Sequence, residues 1–148
     1  MYMLAQNKRL ALAGVERMAK NKPPANLSLS VELAILKEKI EALPLTVEKF
    51  NPEDRPYQLY FQQEIGWKIS LLSKFEGISK AFYYAIWDAY RYPLSLIKNI
   101  EADDQLLEIG KLIEIICDQV ITAVLPQNKG SFYADYYQIR LSEQKEDH

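Results

Sequence analysis

Apolar residues recur every three or four positions through most of this chain, and prolines punctuate the recurrences. That pattern predicts an all-α protein, a helical bundle of five to six helices. The first helix is expected over Leu4–Lys20. Leu4, Ala11, Val15 and Met18 share one face, while Lys8, Arg9, Glu16 and Arg17 take other positions. Gly14 is expected to weaken this helix by roughly 1 kcal/mol relative to alanine, and Pro23-Pro24 to end it.

In the second helix Leu29, Leu33, Leu36, Ile40 and Leu43 form a narrow seam of coiled-coil type. Ser28 or Ser30 is the expected cap, with Glu32 in the first turn and Pro44 as the stop. Lys37, Glu38, Lys39 and Glu41 lie off the seam. The segment is too short to be an independent coiled coil, so the seam must pack on other helices. Leu45–Arg55 reads as a connector. Within it, Asn51-Pro52-Glu53-Asp54 has the order of a helix start, and Pro56 lies near the next start.

From Tyr57 to Tyr92 there is no proline. Phe61, Ile65, Ile69, Leu72 and Phe75 mark one face, and Phe82, Ile86 and Ala89 continue it. One unbroken helix here would be about 54 Å long, more than a small domain holds. A break near Glu76-Gly77 with Ser79 as a new cap is therefore expected, the alternative being one long helix in an elongated hairpin. Pro93 should end the segment, and Leu94–Asn99 should make a short helical turn. Glu101, Asp103 and Asp104 then precede a helix over Gln105–Leu125. Its stripe of Leu106, Ile109, Ile113, Ile116, Val120 and Val124, widened by Leu112, Ile115 and Cys117, makes it central to the core. Pro126 should close it. Ser131 can cap a last element, Phe132–Leu141. There Phe132, Tyr136 and Ile139 fit a helix, although the aromatic density also suits an edge strand. Residues 1–142 are expected to form one domain, with 143–148 a frayed polar tail.

Composition adds mainly exclusions. Of the 148 residues 49% are hydrophobic and 26% charged, the profile of a globular chain and not of a disordered one. Net charge is −2, distributed as +3 over residues 1–50, +1 over 51–100 and −6 over 101–148. The lone cysteine, Cys117, sits in an apolar run and reads as a buried, inert thiol. The start, Met1-Tyr2-Met3-Leu4, is soon broken by Gln6, Asn7, Lys8 and Arg9, so no signal-peptide core is expected. The aromatic run Ala81–Trp87 falls far short of the ~20 residues that span a bilayer. A cytoplasmic location is the expectation.

No catalytic constellation is visible. Di-iron bundles take Glu-x-x-His motifs, but the only histidine is His148. Glu108, Glu114 and Asp118 are acids on the central helix, the latter two read as its solvated edge. Gly14, Gly66, Gly77, Gly110 and Gly130 are too scattered for a phosphate loop. No serine or cysteine can be paired with an internal histidine. Glu64, Glu76 and Asp88 read as surface charges. The chain is therefore expected to be no enzyme and to need neither cofactor nor metal.

Aromatic density is the most unusual feature. Tyr83, Tyr84, Trp87, Tyr90 and Tyr92 crowd one region, with Tyr57, Tyr60 and Trp67 upstream, and Tyr133, Tyr136 and Tyr137 form a second group. Such residues combine large buried area with a polar tip and are enriched at protein interfaces. The favoured reading is a non-enzymatic interaction module (an adaptor, an assembly factor or an inhibitor), docking another protein or itself through these two groups. A second reading is a nucleic-acid-associated subunit using Lys8, Arg9, Arg17, Lys20 and Lys22. A third is a small-ligand regulator with an aromatic pocket lined by Tyr83, Trp87 or Tyr90.

Overall fold

Six α-helices and no strand form among the described residues, so the chain is an all-α bundle. The computed structural model describes residues 2–21, 27–43, 56–96 and 103–146, with side chains for 6–21, 27–43, 63–92 and 105–143. The helices are α1 (Tyr2–Lys20), α2 (Ser30–Glu41), α3 (Pro56–Leu72), α4 (Lys80–Leu96), α5 (Asp103–Val124) and α6 (Phe132–Glu146). A short 3-10 turn, Leu125–Asn128, continues α5. The expected stops at Pro23-Pro24 and Pro44, the connector Leu45–Arg55 and Lys22 lie outside the described residues.

The expected stripes become the core. All five seam residues of α2 are buried, packed between α1 and α5. The cap differs from expectation. Leu29 holds the N-cap position with its side chain in the core, and the hydroxyls of Ser28 and Ser30 pair with each other at 3.2 Å. The stripe of α5 from Leu106 to Val124 is buried, with Leu112 and Cys117, while Ile115, expected to widen it, is exposed; the helix packs on α2, α3 and α4.

The expected break between α3 and α4 is present. Gly77 has φ +96°, in the left-handed region open to glycine, and a Cβ there would run into the Gln127 amide. Ser79 Oγ accepts the Phe82 N–H at 3.1 Å and so starts α4. Asn128, itself buried, pins this turn. Its Oδ1 accepts the Glu76 N–H at 2.8 Å, and its Nδ2 donates to the Glu76 carbonyl at 3.0 Å and to the Val124 carbonyl at 2.7 Å. One carboxamide thus fastens the α3–α4 turn to the end of α5.

Two boundaries correct the sequence reading. Helix α4 runs through Pro93 to Leu96. A proline removes one donor and crowds one carbonyl, which can kink a helix without ending it. The last element is a helix, not a strand, and it reaches Glu146, into the segment expected to fray. Ser131 Oγ caps it by accepting the Ala134 N–H at 3.1 Å.

Helices α1 and α4 approach each other backbone to backbone. Ala11, Ala85 and Ala89 are fully buried there. A Cβ on Gly14 would lie 2.7 Å from the Ala85 carbonyl oxygen and 3.0 Å from the Ala89 nitrogen. Gly14 therefore sets how near the two helices come, and its low helix propensity is the cost of that contact. Gly14→Ala is expected to destabilise by about 1–3 kcal/mol despite its better propensity. Gly66→Ala, in open space on α3, should stabilise by about 0.5–1 kcal/mol. Urea midpoints of the two variants test this. A Gly14→Ala chain more stable than the natural one overturns the packing account.

Candidate functional site

Helix α6 carries apolar residues on two opposite faces. Ala134, Tyr137 and Leu141 point inward onto the core. At ~100° per residue, Phe132, Tyr136 and Ile139 fall on the other side. Phe132 is 72% exposed and Ile139 58%. The Phe132 and Tyr136 rings stack at 6.2 Å with 14° between their planes, and Phe132 meets Tyr133 edge-on at 5.3 Å. Phe132 and Ile139 therefore present apolar surface to water, with Tyr136 between them half-buried and also packed against the core.

Beneath it lies a charged anchor. Lys68 of α3 is only 1% exposed. Its Nζ donates to Asp118 Oδ2 at 3.1 Å and sits 3.6 Å from Glu114 Oε1, both on α5. The Tyr137 hydroxyl of α6 donates to the other oxygen, Asp118 Oδ1, at 2.7 Å. One carboxylate thus ties α3 and α6 to α5. Lys68 Nζ also lies 5.8 Å from the Trp67 ring centre, and the Arg140 guanidinium covers the same ring at 4.7 Å. Trp67 meets Tyr136 edge-on at 6.0 Å. The polar anchor and the outer strip are consequently in mechanical contact through Trp67, Tyr136 and Tyr137.

The chemistry of the anchor is that of a clamp. Its ammonium is enclosed and turned toward two carboxylates. Burial raises the Glu114 carboxyl above its usual range, Lys68 opposes that rise, and Asp118 adds to it. The Tyr137 hydroxyl is pushed up by burial and then by its bond to Asp118, and the Cys117 thiol by burial and then by Asp118. Full burial makes Cys117 unreactive.

The expected site residues divide. Tyr84 and Tyr133 are exposed, and Tyr83, Trp87, Tyr92 and Tyr136 are half-buried. Tyr90 and Tyr137 correct the expectation, since at 5% and 1% exposure neither is displayed. Tyr90 turns into the core beside Cys117, and its hydroxyl has no hydrogen-bond partner among the described residues. Tyr137 is spent on Asp118. Glu114 and Asp118, expected at the solvated edge of α5, are each about one-third exposed and also pair with the buried Lys68. Asp88, expected as a surface charge, pairs with Arg17 and with Arg91. In the basic set Lys8 donates to the Leu43 carbonyl at 2.8 Å and Arg17 binds Asp88, leaving Arg9 and Lys20 on the surface.

Sequence reasoning missed Lys68, although it stands three residues after Ile65 and four before Leu72, on the buried side of α3. It also assigned Phe132 and Ile139 to the helix pattern without seeing that Ala134, Tyr137 and Leu141 fit the same period. Val31, Ile35 and Ile115 are exposed as well. Ile35 and Ile115 lie along the α2–α5 seam, between the Glu32–Gln119 and Lys39–Glu108 contacts. Near the Glu32–Gln119 contact an open hollow of about 420 Å³ is lined by Leu27, Asp118, Gln119, Thr122 and Ala123. No described helix is long and apolar enough to cross a membrane. Compared with protein-family models, curated proteins and solved structures, the chain matches none.

Two measurements test the anchor and its surroundings. A carboxyl raised in the folded state holds its proton more tightly folded than unfolded. Its stabilisation is present below the unfolded value, about 4.3, and is lost as pH rises through the folded value. Glu114→Gln should therefore gain in Tm relative to the natural chain as pH rises above about 4. A difference that stays constant or shrinks contradicts the assignment. Tyr90→Phe removes an unsatisfied buried hydroxyl and should stabilise by about 1 kcal/mol, with an unchanged urea m-value. A clear loss of stability means that the hydroxyl is bonded.

Proposed function

We propose that this chain is a non-enzymatic, cytoplasmic protein-interaction module of one domain, residues 1–142, and that it docks its partner on the outer face of α6. The observation that carries the reading is the double-sided apolar character of α6. A helix at a bundle surface normally turns polar residues outward. Here Phe132 and Ile139 stand in water, directly opposite the stripe that packs inward. Covering apolar surface is worth roughly 25 cal/mol per Å², so a partner on this strip is favoured. Ser131 caps its helix, and the Tyr137–Asp118–Lys68 anchor ties that helix to α5, which lowers the ordering cost at docking. Tyr84, exposed on α4, belongs to a separate aromatic group.

The other readings have less support. Two of the basic residues offered for nucleic acid, Lys8 and Arg17, are already bound within the chain. Of the three aromatics offered for a pocket, Tyr90 is buried, and the half-buried Tyr83 and Trp87 meet each other edge-on at 6.4 Å.

A photo-crosslinking residue placed at Ile139 and, as control, at exposed Lys111 on α5 tests the proposal in native cells. A specific protein adduct is expected from position 139 alone and should disappear in Phe132→Asp. Because Phe132 is exposed, that change should alter stability by no more than about 0.5 kcal/mol. Equal labelling from both positions, or none from Ile139, overturns the reading.

A further inference from the structure

Resting on that reading, we propose that the occupant of the outer face of α6 is a second copy of this chain, its α6 lying antiparallel to the first about Tyr136. A two-fold contact brings the same patch of both copies together, so residue i meets j and j meets i. With the axis at Tyr136, Phe132 of one copy falls level with Ile139 of the other, to within about one residue's rise. Tyr136 meets its own counterpart. Lys129, in the turn seven residues before Tyr136, and Glu143, seven residues after it near the end of the helix, then fall on opposite sides of the axis. Both are exposed. The antiparallel arrangement sets Lys129 against Glu143 at each end. A parallel arrangement sets lysine on lysine and glutamate on glutamate. Arg140, already over Trp67 and 5.9 Å from the Tyr136 ring centre, comes level with the partner copy's Phe132 and Tyr133, where a guanidinium over an aromatic face is favourable.

The strip is one helix wide. The contact therefore belongs to the small class of interfaces, below about 1,200 Å² in total, which give weak and reversible association. Dimerisation is expected in the micromolar range or above, with dependence on salt from the terminal charge pairs.

Sedimentation equilibrium over roughly 5–500 µM, a span chosen for weak interfaces of this size, tests the proposal. The natural chain should move from monomer to dimer mass, and Phe132→Asp/Ile139→Asp should stay monomeric with unchanged helical circular dichroism. Glu143→Lys should weaken the dimer roughly three- to tenfold at low salt, and adding Lys129→Glu to it should restore the natural affinity. Rescue by the double swap supports the antiparallel register. A monomer at every concentration, a dimer that survives Phe132→Asp/Ile139→Asp, or swaps without rescue each overturns the second-copy proposal. If the chain is monomeric while Ile139 still crosslinks to a different protein, this inference fails and the docking reading stands. If neither dimer nor adduct is found, both fail.

Discussion

A lysine ammonium enclosed by three helices is the constraint on which the second half of this bundle depends. Moving such a charge from water to the interior costs several kcal/mol even after relaxation. It is tolerated here because α5 presents Asp118 and Glu114 to it at hydrogen-bonding and ion-pair distance. The requirement propagates outward. Asp118 serves Lys68 with one oxygen and accepts the Tyr137 hydroxyl of α6 on the other. The position of α6 is therefore set by a charge on α3, through a carboxylate on α5. Apolar packing by Ala134 and Leu141 alone leaves a helix freer to slide or rotate than a directional bond does.

The other half of the bundle is organised by shape. Helices α1 and α4 meet through Gly14, Ala11, Ala85 and Ala89, residues small enough for backbone to approach backbone. The seam of α2 fills the space between α1 and α5. Close contact of this kind gains dispersion energy along a long line and tolerates little change in volume. One side of the molecule thus holds its geometry by directional bonds to an enclosed charge, and the other by steric fit.

Most helices were legible in the sequence because their signals are local. The apolar spacing of α2 and α5, the Gly77 break and the Ser79 and Ser131 caps all act within a few residues of where they are written. What escaped needed knowledge of the opposite element. Lys68 is indistinguishable from a surface lysine until Asp118 is seen across from it. Tyr90 and Tyr137 look the same in sequence as Tyr84 and Tyr133, since tyrosine is at home buried or exposed. In α6 two apolar stripes share one period, and only the packing reveals which turns inward. Pro93 was read as a stop because sequence rules describe the donor it lacks, yet α4 continues through it to Leu96.

Asn128 has a consequence beyond its local bonds. Its carboxamide grips the Glu76 backbone on one side and the Val124 carbonyl on the other, three residues before the serine that opens α6. The base of α6 and the base of α4 are therefore mounted on a common footing. The neighbouring Gln127 amide donates to the same Glu76 carbonyl at 3.2 Å, so two successive side-chain amides join the turn that precedes α4 to the segment that leads into α6. The aromatic residues of both helices are thereby positioned from one polar junction at the edge of the aliphatic interior.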